Sequence, residues 1–272
     1  MIISKKYKLV DIIGNGEFGQ IFKAQNIRTG QYVAVKQEPM DNNGFKLLKN
    51  ETKIYQYLNN VVGFPRVFWF GIFENNYYMV LSLLGKSLRK KRELGRFSLE
   101  DVCAIGIQMI SRLECLHKRG LIHRDVKPDN FLFGMEDMDD ISDSLIHLID
   151  FGLCRKYIEE EDGYTHIPYR VKESILGTPN FISINVHNLC EPSRRDDMES
   201  VVYILYYLWG VYTPPVCSEH RISDYKLQLM DVDNKITPLQ FREYFAYCRS
   251  LEYDKEPNYQ YLMSLLCVHS VM

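Results

Sequence analysis

The spacing of apolar and polar positions changes character near residue 85. Before it, short β-rich runs dominate. Tyr7 to Ile13, Gln20 to Asn26 and Gln31 to Gln37 are separated by a Gly-rich turn at 14–19 and by Thr29-Gly30, which predicts an antiparallel meander. Phe45, Leu48, Ile54, Tyr55 and Leu58 then recur at near-helical spacing and predict a helix over about 44–59. Arg66 to Phe73 and Tyr77 to Leu84 flank Glu74-Asn75-Asn76 as a further hairpin. Residues 1–84 are therefore expected to form a lobe of five strands and one helix.

From residue 85 to 272 the period is helical. Ser98 with Asp101 three positions later has the form of a capping box, and Val102, Ile105, Met109, Ile110, Leu113 and Leu116 line one face until Gly120 ends the run. Asp197 to Trp209 is apolar almost all round, as a helix buried through a helical lobe requires. The fold class expected is α+β.

Composition narrows the picture little. At 272 residues the chain can be one large domain or two small ones, and 46% hydrophobic with 25% charged residues is ordinary for a folded globular protein. A net charge of -2 and a pI near 6.4 give no global basic field, which argues against direct binding of nucleic acid. Seven cysteines without a C-x-x-C pair point to reduced thiols in an intracellular compartment. His187 and Cys190 have zinc-ligand spacing, but no second pair follows. MIISKKYKLV is too short an apolar run for a signal peptide and VVYILYYLWGVY too short for a bilayer span, so no membrane insertion is expected. The acidic clusters Glu136 to Asp143 and Glu159 to Asp162 read as solvated loops.

Four motifs carry chemistry. Gly14, Gly16 and Gly19 have the G-x-G-x-x-G spacing. In a dinucleotide fold they would open a helix and be followed by an acid, for which Glu38 is available; between two strands they would form a flap whose backbone N–H groups can approach phosphates. A merely structural hairpin tip is the third reading. Lys36 ends the apolar segment VAVK, so an inward-facing ammonium needs an anion, and Glu51 on the expected helix is a candidate. LIHRDVKPDN places Asp125, Lys127 and Asn130 on one loop, and LIDFG carries Asp150 to a strand end. Asp150 and Asn130 supply oxygen ligands suited to magnesium. Phosphoryl transfer needs this set: a metal, a lysine on the phosphates, and a carboxylate that orients the attacking hydroxyl.

In that order, G-x-G-x-F-G-x-I, V-A-V-K, H-R-D-V-K-P-D-N and D-F-G resemble the protein kinase catalytic domain over about residues 7–268. Lys127, two after Asp125, is similar to serine/threonine rather than tyrosine kinases. HIPYR at 166–170, SIN at 183–185 and EPSRRDDMES at 191–200 are similar to casein kinase I. The resemblance implies a single catalytic domain over 1–272 with a bilobal fold: a small antiparallel-sheet N-lobe with one main helix and a larger, mostly helical C-lobe. It also implies a transferase that moves the γ-phosphate of ATP, with Mg2+, to Ser or Thr of acidic or already phosphorylated protein substrates.

Carried over by position, Ile13, Gly14, Asn15, Gly16, Glu17, Phe18, Gly19, Gln20 and Ile21 would cover the ATP phosphates and Lys36 would hold them, paired to Glu51. Leu84 would read adenine through its backbone and Leu132 would form the floor. Asp125 would be the base and Lys127 would sit near the γ-phosphate, while Asn130 and Asp150 would bind the metal. Thr178 would brace the catalytic loop and Asp197 would hold that loop's backbone. Arg170, Lys172 and Asn180 would face the substrate. Three departures stand out: Ser82 where the family usually has an acid, Asn180 where casein kinase I relatives carry Arg, and the acidic MEDMDDISDS between Asp125 and Asp150. The chain ends at Met272 with no long C-terminal tail, which implies activity without prior dephosphorylation. A monomer in the nucleus or cytoplasm is expected. A pseudokinase scaffold would lack a phosphate or metal ligand, and Lys36, Asp125, Asn130 and Asp150 are all present.

Overall fold

The computed structural model of the chain describes residues 1–16, 19–40, 47–135, 144–159, 165–215, 219–231 and 237–267. They divide into two compact units. The first is Met1–Gly85 with Leu132–Asp137 and His147–Gly152; the second is Lys86–Phe131, Met138–Ile146 and Leu153–Met272.

The first unit is built on a six-stranded antiparallel sheet in the order β1-β2-β3-β4-β6-β5. Its strands are β1 (Ile2–Ile3), β2 (Tyr7–Gly16), β3 (Gly19–Asn26), β4 (Tyr32–Pro39), β5 (Val67–Phe73) and β6 (Asn76–Ser82). Alternation puts Tyr7, Ala24, Val33, Val35, Tyr78 and Val80 on one face, where they form a core with Ile3. β1 is the strand that periodicity does not reveal, because two residues cannot show a period. The β5–β6 turn places Glu74 and Asn75 at positive φ (44° and 60°), the twist a two-residue hairpin needs. Helix α1 (Leu47–Tyr57) buries Leu48, Thr52 and Tyr55, and also the carboxylate of Glu51. The start expected for it, near residue 44, lies outside the described residues.

The second unit is mostly helical, with α2 (Leu88–Leu94), α3 (Leu99–His117), α4 (Ile184–His187), α5 (Arg194–Trp209), α6 (Glu219–Asp231), α7 (Leu239–Ser250) and α8 (Tyr259–Leu266). The α3 capping box is present as expected, Ser98 and Asp101 each accepting the other's backbone N–H at 3.0 Å. Its short strands β7 (Leu121–Ile122) and β10 (Arg155–Lys156) pair, as do β11 (Ile158–Glu159) and β12 (Thr165–His166); a further pair, β8 (Phe131–Phe133) with β9 (Ile146–Leu148), lies mostly in the first unit. A 3-10 turn spans Pro128–Asn130. α5 begins three residues before Asp197, at polar positions an apolar pattern cannot mark, and Met198 through Tyr206 are buried without a break. The architecture is α+β, a sheet lobe and a helical lobe, with eight α-helices among the described residues. No described helix is long and apolar enough to cross a membrane. Six described cysteines are free thiols.

Close approach of α3 to its neighbours depends on Gly106, where a Cβ would lie 2.6 Å from Leu266 Cδ1 and 3.0 Å from Leu205 Cδ2. Gly106→Val should therefore overpack the α3–α5–α8 contact and destabilise the fold by about 1–3 kcal/mol. A thermal melt with an unchanged or higher Tm would contradict this packing.

Candidate active site

In the first unit the three glycines lie in a hairpin, with Gly14 opposite Ile21, Asn15 opposite Gln20 and Gly16 opposite Gly19. β3 follows them, not a helix, and Glu38 accepts the Leu48 N–H at 2.6 Å as a cap on α1. Both requirements of the dinucleotide reading thus fail. The glycines are not equivalent: a Cβ on Gly19 would sit 1.8 Å from the Gln37 carbonyl oxygen, whereas one on Gly14 would make ordinary contact with Ile21. Gly19 is required by strand packing whatever passes beneath the hairpin. Glu17 and Phe18 lie outside the described residues, and Ile13 is exposed on β2.

Lys36, on β4, donates to Glu51 Oε2 at 2.8 Å and to Asp150 Oδ1 at 3.0 Å. Burial works against its charge, but Glu51 and then Asp150 outweigh it and hold the ammonium above its ordinary range. Asp150 has φ 66°, a left-handed conformation unusual outside glycine. Tyr55, one turn beyond Glu51, secures it: its hydroxyl accepts the Asp150 N–H at 3.0 Å and its ring meets Phe151 edge-on at 4.8 Å. Tyr55 reads in the sequence only as a core position, because an aromatic with helical spacing carries no sign of what its hydroxyl reaches. Leu84 and Leu132 are half-buried, and Gly85 N–H donates to the Phe133 carbonyl at 2.9 Å. Ser82 Oγ is taken up by the Arg66 N–H at 3.1 Å.

In the second unit Asp125 is the centre of a closed polar cluster. Its Oδ1 accepts from the Thr178 N–H at 3.0 Å and from the Thr178 hydroxyl at 2.7 Å. Lys127 Nζ stands 2.6 Å from Asp125 Oδ2 and 3.1 Å from Thr178 Oγ1. Asn130 Nδ2 donates to the Asp125 carbonyl at 2.9 Å and to Oδ2 at 3.3 Å. Four side chains from two segments are brought together here, Thr178 arriving from 53 positions away.

The loop carrying Asp125 hangs on Asp197, in the first turn of α5. Its Oδ2 accepts the His123 N–H at 2.8 Å, its Oδ1 the Arg124 N–H at 2.9 Å, and His117 Nε2–H donates at 2.9 Å. Burial pushes this carboxyl up, but the His117 bond, the two imidazoles and the His123 N–H together bring it below its ordinary value. Arg124 is held at φ 68° by this bond and by its Nε, which donates to Leu153 O at 2.6 Å. The residues after Thr178 are fixed similarly. Ser183 caps α4 and donates to Asp196 at 2.6 Å, while Glu199 accepts the Ile184 N–H at 2.7 Å and pairs with Arg249 at 3.0 Å.

Of the residues expected to face a substrate, Arg170 is exposed with no side-chain partner among the described residues. Lys172 lies 3.4 Å from Glu191 Oε2, and the other oxygen of this buried carboxylate binds Arg155 at 3.0 Å. Asn180 is half-buried, and its Oδ1 is buried without a hydrogen bond among the described residues. Glu191 is invisible to spacing, since its cations come from distant positions. The acidic stretch 136–143 lies outside the described residues.

The sequence matches the family described as protein kinase domain over residues 7–268.

Asp197 also generates a pH prediction. Its folded-state pKa lies below the unfolded value of about 3.8, so its contribution is fully present above that value and is lost as pH falls through the folded pKa. Asp197→Asn, which removes a buried charge with three donors, should cost about 3–5 kcal/mol near pH 7. Urea titrations should show the gap between variant and wild type narrowing below about pH 4. A gap independent of pH would contradict the role given to the carboxylate.

Proposed function

The chain belongs to the protein kinase family, and from that premise we propose a serine/threonine kinase of casein kinase I type. It transfers the γ-phosphate of ATP to seryl and threonyl hydroxyls of acidic proteins. The observation that carries the serine/threonine reading is the cluster in which Lys127 contacts both Asp125 and Thr178. A lysine two residues past the carboxylate brings a positive charge to the acceptor side, where the migrating phosphoryl group is most anionic.

The division of labour follows from the contacts. Asp125 accepts the hydrogen of the attacking hydroxyl and aims its oxygen; Thr178, holding Oδ1 with two bonds, leaves Oδ2 as the working atom beside Lys127. Lys36, kept charged by Glu51, would hold the α- and β-phosphates. Each unit offers an oxygen ligand of the kind a hard divalent cation takes: the Asp150 carboxylate is part-exposed, and the amide nitrogen of Asn130 is spent on Asp125, which leaves its oxygen. Mg2+ held by these residues would neutralise phosphate oxygens during transfer. The glycine hairpin, paired from Gly14 opposite Ile21 to Gly16 opposite Gly19, would cover the nucleotide's phosphates, and Leu84 and Leu132 would take its base. Arg170 and Lys172 supply the charge that favours acidic or phosphorylated substrates, with Asn180 offering a neutral donor in place of a guanidinium.

Lys36→Met and Asp150→Asn should each lower kcat/KM on casein about 100-fold or more while leaving a cooperative melt. Asp125→Asn should lower kcat by about 100-fold or more and leave the KM for ATP near wild type. Full activity in any of the three removes the kinase reading, and a loss confined to nucleotide affinity in Asp125→Asn removes the role given to that carboxylate.

Recognition of phosphorylated substrates gives a separate test. Lys172 already shares the Glu191 carboxylate, so a phosphate upstream of the target serine meets chiefly Arg170 and the Asn180 amide. A charge-assisted hydrogen bond adds about 1.5–3 kcal/mol, about tenfold or more in discrimination. Asn180→Arg should therefore raise the preference for a peptide phosphorylated three residues before its serine by about tenfold. Equal preference in wild type and variant would leave the recognition to Arg170 and Lys172.

A further inference from the structure

Lys226, on α6, is 0% exposed, which is unusual for a residue whose ammonium is costly to remove from water. Among the described residues no carboxylate pairs with it. Its Nζ donates instead to two backbone carbonyls, Ile182 O at 2.7 Å and Pro179 O at 2.8 Å. It lies 3.2 Å from His187 Nε2 and 4.4 Å from the centre of the Tyr203 ring, on whose face a cation is favoured. Both carbonyls belong to the segment that begins at Thr178, the residue bonded to Asp125.

A second buried donor reaches the same segment. Tyr212, 1% exposed, donates its hydroxyl hydrogen to the Asn180 carbonyl at 2.7 Å. The Thr178 carbonyl accepts the N–H groups of Phe181 and Ile182 at 2.8 and 3.1 Å. Thus the carbonyls of 178, 179, 180 and 182 are all engaged, three of them by side chains from elsewhere in the unit.

We propose that Lys226, seconded by Tyr212, is the positioning device of the acceptor-facing loop 178–182, and so sets how the substrate peptide is held beside Asp125. The proposal rests on the reading that Thr178 and Asn180 serve the protein substrate. An apolar side chain of similar length would fill the space around Lys226 but could donate to neither carbonyl. Burial pulls the Lys226 ammonium down to about 7 against the upward pull of Glu199, in keeping with a group placed for its donors and not for pairing with a carboxylate. Lys226, Tyr212 and the loop they hold belong to the second unit, whereas Lys36 and Asp150 belong to the first. The effect should therefore fall on the peptide and not on the nucleotide.

The test compares Lys226→Met and Tyr212→Phe with wild type on one acidic serine peptide, with KM measured separately for peptide and for ATP. Two lost bonds should raise the peptide KM of Lys226→Met about tenfold or more, and one lost bond should raise that of Tyr212→Phe about fivefold, with the KM for ATP near wild type in both. A folded Lys226→Met enzyme with wild-type peptide KM and kcat overturns the proposal, as does a rise in both KM values together. Should Lys226→Met not fold, Tyr212→Phe decides, and a wild-type peptide KM there overturns the proposal. Absence of phosphotransfer by the wild type is a different result and strikes the kinase reading itself.

Discussion

The buried carboxylate of Asp197 accepts three hydrogen bonds in the first turn of α5, where the helix dipole also favours negative charge. Two of its donors are consecutive backbone N–H groups, so it fixes the plane and direction of the chain just before Asp125. α5 is itself deeply buried, its residues covered without a break from Asp196 to Tyr206, in the close packing of a protein interior. Precision in the Asp125 cluster is therefore borrowed from the core of the second unit. Only afterwards do Thr178, Lys127 and Asn130 add their own constraints.

The same logic explains why two non-glycine residues of the site stand at positive φ. Arg124 and Asp150 each sit in a conformation that costs of order 1–3 kcal/mol, and each is held there by named partners: Asp197 and the Leu153 carbonyl for the first, Tyr55 and Lys36 for the second. Strain of this kind persists where surrounding contacts over-determine the chain. In both places it aims a side chain, or the residue after it, at the proposed chemistry. The first unit secures Asp150 twice from α1, through Glu51 acting on Lys36 and through Tyr55 one turn later.

Local pattern made much of this legible. The capping box at Ser98, the buried face of α3 and the Lys36–Glu51 pair follow from spacing and from the cost of an unpaired inward lysine. What spacing could not reveal depends on distant residues meeting. Asp150 as a second partner of Lys36, Tyr55 on the Asp150 N–H, Glu191 between Arg155 and Lys172, and Lys226 beneath the 178–182 loop are all long-range contacts. Each of those residues looks ordinary in its own neighbourhood. β1 escaped for the opposite reason, being too short to carry any period. The sequence pattern also ends β2 short of Gly16, because glycines at a hairpin tip read as turn even while they pair across it.

The central claim is that the Asp125 cluster directs phosphate to aliphatic hydroxyls. Phosphoamino-acid analysis of an acidic protein incubated with the enzyme, ATP and Mg2+ tests it most directly. The account predicts phosphoserine and phosphothreonine, no phosphotyrosine, and neither product when Asp125→Asn replaces the wild type. Phosphotyrosine as the main product, or undiminished labelling by the variant, would contradict it.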